Sequence, residues 1–153
     1  LGNAVGVKLE PVPYRGAAPL IADLAGGHVP AGCGGLTDFL DHHRAGKLRI
    51  LLTAGGRRAQ AAPDIPTAQE LGYKEILIEG WYTFFVPIKT PKPIVDAWHK
   101  ELTAVVDDPA VRERLVGLGL DVQPGAPDAF SERMTADLNR WKTIIDAIGY
   151  KPS

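Results

Sequence analysis

Four groupings of residues in this chain could carry chemistry. Cys33 is the single cysteine, and His42 and His43 follow it within ten residues. A thiolate beside an imidazole base is a nucleophile, so a hydrolase is one reading. Against it, a lone cysteine among small residues usually packs, and the two histidines are adjacent at a polar helix end. His28, His42, His43 and His99 could also be assembled on paper into a metal site. Only the adjacent pair is close in sequence, and neighbours on a helix point about 100° apart. No metal and no cofactor are expected. The stretch Gly32-Cys33-Gly34-Gly35 fits neither the dinucleotide nor the P-loop spacing. Two readings stay open for it: a tight turn, or a loop whose amides approach a ligand because no Cβ intervenes. It opens onto a helix that begins near Thr37.

The fourth grouping is Tyr14-Arg15-Gly16-Ala17, between the end of an extended run and the start of a helix. Unpaired amides and the helix dipole favour an anion at such a place, by about 0.3–1 kcal/mol per charge when exposed. Arg15 is either a bidentate partner for a carboxylate or a solvated surface cation. Two junctions of this kind in one sheet describe the crevice at the carboxyl ends of strands, where open α/β folds bind ligands. The candidate site is therefore Tyr14, Arg15, Gly16, Ala17, Cys33, Gly34, Gly35 and Thr37. The rings of Trp81, Tyr82, Phe84 and Phe85 could line a pocket, but core burial is the expectation for an aromatic strand.

The elements that must position these residues follow from periodicity and breakers. Val7 to Val12 reads as a short strand stopped by Pro13. A helix carrying Leu20, Ile21 and Leu24 on one face follows, with Pro19 in its first turn and Gly26-Gly27 at its end. A second helix is predicted from about Thr37, as N-cap, to Ala45, with Gly46 as its left-handed terminator. Leu48 to Thr53 is nearly continuous apolar, the pattern of a strand covered on both faces. Thr67 and Glu70 have capping-box spacing and predict a helix that stops at Gly72. Glu75 to Glu79 and Trp81 to Pro87 read as further strands. Helices are predicted from about Pro93 to Val106, from Asp108-Pro109 to the glycines at 117 and 119, and from near Pro127 onward. The last carries Phe130, Met134, Leu138, Trp141, Ile145 and Ile148 as an amphipathic stripe. Strands and helices alternate, so the class is α/β.

Composition bounds the partners. The 153 residues hold 17 Lys or Arg and 18 Asp or Glu, a net charge of -1, so no single-sign field exists to hold nucleic acid or an anionic membrane surface. With 45% apolar and 23% charged residues the chain is that of a globular protein. No apolar run approaches the ~18 residues of a membrane span. Length alone predicts one domain burying roughly 68–70% of its unfolded surface. The chain opens Leu1-Gly2-Asn3 without a methionine and reads as a piece of something longer.

Several blocks resemble one family in order along nearly the whole chain. Val12-Pro13-Tyr14-Arg15-Gly16, then Gly26-Gly27-His28-Val29, is similar to the "VPYKG…GGQV" segment of the Bug-type receptors, the extracytoplasmic solute-binding proteins of tripartite tricarboxylate transporters. Ala45-Gly46-Lys47-Leu48-Arg49 resembles their "AGKLR" block. Arg58 with Pro63-Asp64-Ile65-Pro66-Thr67 and Glu70-Leu71-Gly72 resembles "R…PDVPT…E.G". Trp81-Tyr82 through Phe85-Val86-Pro87 resembles "WFGLFAPAGTP", and Asp108-Pro109-Ala110-Val111, Gly119 and the Trp141 helix match the tail.

The resemblance implies a type II periplasmic-binding-protein-like fold, of which this partial chain covers most of lobe 2 and the C-terminal part of lobe 1. Residues 1–78 would be the second-lobe ligand-binding portion, and 79–153 the crossover segment and C-terminal helices of the first lobe. It implies a receptor that captures a small carboxylate for the membrane subunits of such a transporter, in the periplasm, without catalysis. A chain holding half of such a fold would leave sheet edges uncovered and could self-associate. Where many members carry two acids after "GGQV", this chain has Pro30 and Gly34, which favours plain carboxylates over amino acids. A ligand-sensing effector domain of the same fold is the alternative, and the Cys/His hydrolase the third reading.

Overall fold

The computed structural model describes residues 2–123 and 125–149. Among the described residues six helices follow in chain order: α1 Gly2–Val5, α2 Ala17–Ala25, α3 Leu36–Arg44, α4 Lys92–Asp107, α5 Pro109–Gly117 and α6 Pro127–Ile148. Their ends follow local chemistry. α2 closes where Gly27, at φ 72°, lets the His28 amide turn back to the Asp23 carbonyl at 2.8 Å. α3 closes the same way, with Gly46 at φ 68° and Lys47 N–H donating to the His42 carbonyl at 2.9 Å. Asp108 caps α5 by accepting from the amides of Ala110 and Val111 at 2.9 and 3.1 Å, with Pro109 at the first helical position.

Three expectations are corrected. α3 begins at Leu36 with Gly35 as its cap, not Thr37. The Thr67–Glu70 capping box forms, the Thr67 amide donating to Glu70 Oε2 at 2.7 Å and the Glu70 amide to Thr67 Oγ1 at 3.1 Å. It opens only a single turn, because the Tyr73 amide already returns to the Ala68 carbonyl past Gly72. The four predicted strands do not form ladders: Thr53 alone among their residues is bridged, and Glu75 lies in a turn. Among the described residues the pairing is one parallel bridge, Thr53 with Thr67.

A rudiment of the sheet is nevertheless present. Thr53 exchanges bonds with Pro66 and Ala68 at 2.9 and 2.8 Å, while the next carbonyl, Ala54, accepts from Ile78 N–H at 2.7 Å. Successive carbonyls of an extended chain point to opposite edges. Residues 53–54 therefore lie between 66–68 and 78. Burial along 48–52 alternates, with Leu48, Ile50 and Leu52 half-buried and Leu51 66% exposed, so one face is covered and not both.

The core sits where α3 lies on this rudiment. Leu40, Ala62 and Ile65 form it, flanked by Leu36, Ile50 and Ala61. The second half of the chain reaches it through Arg44, whose guanidinium donates to the carbonyls of Gly117 and Ala61 at 3.2 and 3.1 Å. Arg57 meets Asp121 at 3.4 Å beside it. Further along, α6 is tied to residues 77–81 by Arg140 to the Leu77 carbonyl (2.9 Å) and by the Trp81 indole N–H to Asp137 (3.0 Å). Contacts thus cross the expected boundary at residue 78.

Much apolar surface stays uncovered. The accessible area is 11771 Å², against roughly 7,500 Å² for a compact monomer of this mass, so about half of the extended-chain surface is buried rather than the expected two-thirds or more. The expected core burial of the aromatic run is corrected too: Tyr82 is 81% exposed and Phe84 78%, and the α6 stripe is open at Leu138. Trp81 and Phe85 make edge contacts to Phe130, at centroid distances of 4.9 and 6.4 Å.

Candidate functional site

Gly16 makes the turn into α2 at φ 99°, ψ 177°, a backbone region open to glycine almost alone. A Cβ there would meet nothing within 4 Å, so the demand is conformational and not steric. The N-terminus that follows has no side-chain cap and no acid in its first turn. Its first amides, from Ala17 and Ala18, are left to solvent or a ligand, because intrahelical partners begin a turn later. Arg15 is exposed beside them.

Tyr14 is anchored. Its hydroxyl donates to Asp23 Oδ2 at 2.7 Å, and His28 Nδ1 lies 3.1 Å from Asp23 Oδ1. The Tyr14 hydrogen bond, then His28, holds the Asp23 carboxyl below its ordinary range, while the Asp23 carboxylate raises the Tyr14 phenol.

The second junction is built differently. A Cβ on Gly34 would stand 2.8 Å from the Phe39 ring, and one on Gly32 would stand 2.9 Å from Leu24 Cδ1. These glycines make room for the chain's own side chains. Asp38 lies in the first turn of α3, with its Oδ2 3.0 Å from where a Gly35 Cβ would be. A carboxylate therefore stands beside this loop although the position at 34 is glycine. Cys33 is exposed on it. His43 Nδ1 accepts the Ile50 amide at 3.3 Å, a structural duty, and nothing in the arrangement supports the Cys/His hydrolase reading.

An open groove of about 590 Å³ runs between α2 and α3. Ala17, Ala18, Ile21, Ala22 and Ala25 form one wall, and Asp38, His42 and Lys47 the other. The start of α2 and the first turn of α3 thus share one concavity. Of the eight candidates only Ala17 lines it; Tyr14, Arg15, Gly16, Cys33, Gly34, Gly35 and Thr37 flank the two helix starts. Lys47, Asp38 and Asp23 were not found from sequence as site residues. Lys47 sat in the Ala45–Arg49 block without a role, and the link from Tyr14 to Asp23 spans nine residues with no local signal.

A chain with two helix starts on one groove, over a parallel-bridged rudiment, has the parts of an α/β binding protein. Residues 1–150 match the tripartite tricarboxylate transporter family receptor, and the chain belongs to that family. Protein BugT of Bordetella pertussis is 28% identical over 146 residues, covering 95% of this chain and 45% of that protein. The solved structure of Rpa4515 from R. palustris with adipate matches at TM-score 0.89 and 26% identity, over 99% of this chain and 51% of that one. MatC from Rhodopseudomonas palustris, with bound malate, matches at TM-score 0.80 and 28% identity, over 94% and 50%. The chain spans under half the length of BugT and of most of the curated relatives it matches. The fold is accordingly a partial α/β periplasmic-binding-protein fold of the Bug-type receptors, and the family is one of receptors rather than enzymes.

Proposed function

We propose that this chain supplies part of the binding cleft of a periplasmic receptor that captures a small carboxylate and hands it to the membrane subunits of a tripartite transporter. The observation that carries the reading is the uncapped start of α2, whose Ala17 and Ala18 line the groove, reached through Gly16 and flanked by Arg15. One ligand carboxylate would accept from the Ala17 and Ala18 amides, with Arg15 or Lys47 adding charge. The loop at Cys33, Gly34, Gly35 and Thr37 would close the other side, where Asp38 favours a ligand hydroxyl or a protonated group near it. Adipate and malate in structural neighbours support the substrate class. Residues 1–78 would then form the second-lobe portion, and residues 79–153 the crossover and first-lobe helices.

The test is a titration of the ¹⁵N-labelled chain with adipate, malate and an uncharged sugar. Saturable shifts at Arg15, Gly16, Ala17 and Ala18 with the acids alone are expected. At a hundred times its dissociation constant the acid should add about 2.7 kcal/mol of stability. Binding of the sugar without the acids would overturn the carboxylate reading.

A further inference from the structure

We infer that Tyr14, Asp23 and His28 form a latch that fixes the ligand-facing turn at Arg15–Ala17, with Tyr14 as a positioning residue for binding. The inference rests on the site proposed above, and the geometry gives it content. Tyr14 enters three residues before α2 and His28 leaves three residues after it, yet both meet one carboxylate. Tyr14 takes Oδ2 at 2.7 Å and His28 stands 3.1 Å from Oδ1. The half-buried Tyr14 ring therefore lies back along the helix toward its C-terminal turn. Gly26 leaves room for the imidazole: a Cβ there would stand 3.2 Å from His28 Cε1.

Between the anchored Tyr14 and the first turn of α2 lie only Arg15 and Gly16. Gly16 has the widest conformational freedom of any residue type, so the turn would otherwise sample many positions. Tying Tyr14 to the rigid body of α2 removes that freedom before a ligand arrives, which is how a preorganised site gains affinity. A phenol kept protonated beside a carboxylate kept ionised is the state in which this bond holds.

The experiment compares Tyr14→Phe, His28→Ala and His28→Gln with the parent chain by ¹⁵N spectra and by adipate titration. Phe keeps the ring and removes the donor. The expected result is displaced amide resonances at Arg15, Gly16 and Ala17 in the ligand-free Tyr14→Phe chain, with α2 intact by its carbon shifts and adipate affinity lowered about tenfold. His28→Ala should displace the same resonances and His28→Gln restore them. Unmoved resonances and unchanged affinity in Tyr14→Phe overturn the latch. If the parent binds no acid, the site reading fails, while the ligand-free spectra still decide the latch. Should Tyr14→Phe unfold, the two His28 variants decide it: displacement with rescue upholds it, and no displacement overturns it.

Discussion

Arg58 and Glu70 meet across twelve residues, Arg58 Nε lying 3.0 and 2.9 Å from the two carboxylate oxygens. Arg58 Nη1 also donates to the Pro63 carbonyl at 2.9 Å. The pair thus holds the 63–70 turn against the segment before it, and Glu70 completes the capping box with Thr67. The Thr67 backbone amide, then Arg58, keeps the Glu70 carboxyl below its ordinary 4.5.

A carboxyl lowered on folding adds stability above its unfolded value, and that stability is lost as pH falls through the folded value. Urea midpoints of the parent should therefore drop between about pH 5 and 3 more steeply than those of Glu70→Gln, which should already be lower at neutral pH. Parallel curves for the two proteins would remove Glu70 from the account.

Gly16→Ala places a Cβ where space is free but the backbone is not. Holding a non-glycine residue in this region costs of order 1–3 kcal/mol. The variant is expected to lose about that much stability, or to move the turn and weaken acid binding. Calorimetry and the adipate titration read the two outcomes. A variant equal to the parent in both would show that the turn does not depend on glycine.

Helix and turn ends were the more legible part of this fold, the start of α3 excepted. Asp108-Pro109, Gly26-Gly27, Gly46 and Gly72 act through bonds within five residues, so the sequence alone fixes what they do. Strand pairing was not legible, because the partner of Leu48–Thr53 is a matter of what lies beside it. Leu51 reads as core and is exposed for that reason. The site divides along the same line. The bend at Tyr14–Ala17 was visible as a junction, while Asp23 and Lys47 enter through tertiary proximity that no periodicity encodes. For Gly32 and Gly34 the sequence leaves a tight turn and a ligand-facing loop both open, and what it does not encode is that Leu24 and Phe39 pack against them.

The rings of the 82–86 run and Leu138 of the α6 stripe are large apolar side chains left uncovered. Exposed apolar patches mark contact surfaces. The isolated chain is therefore expected to self-associate in a concentration-dependent way in sedimentation velocity. Phe84→Asp with Leu138→Asp, both at highly exposed positions, should shift it toward monomer without loss of helix. A parent chain that stays monomeric throughout would contradict this.

Leu40 is 2% exposed and joins α3 to Ala62 and Ile65, with Gly119 seated against it from the second half. Leu40→Ala removes three carbons from the small core and leaves a cavity that its neighbours fill only in part. The cost for such a change is about 2–5 kcal/mol. With so little else buried, the effect should be local as well as global. Amide exchange is expected to quicken across Leu36–Arg44 and at residues 117–119, which Arg44 ties to the same helix. Acceleration confined to α3 would show that the second half does not depend on this core. No acceleration, with an unfolding loss below about 1 kcal/mol, would mean that α3 is held by its hydrogen bonds rather than by Leu40.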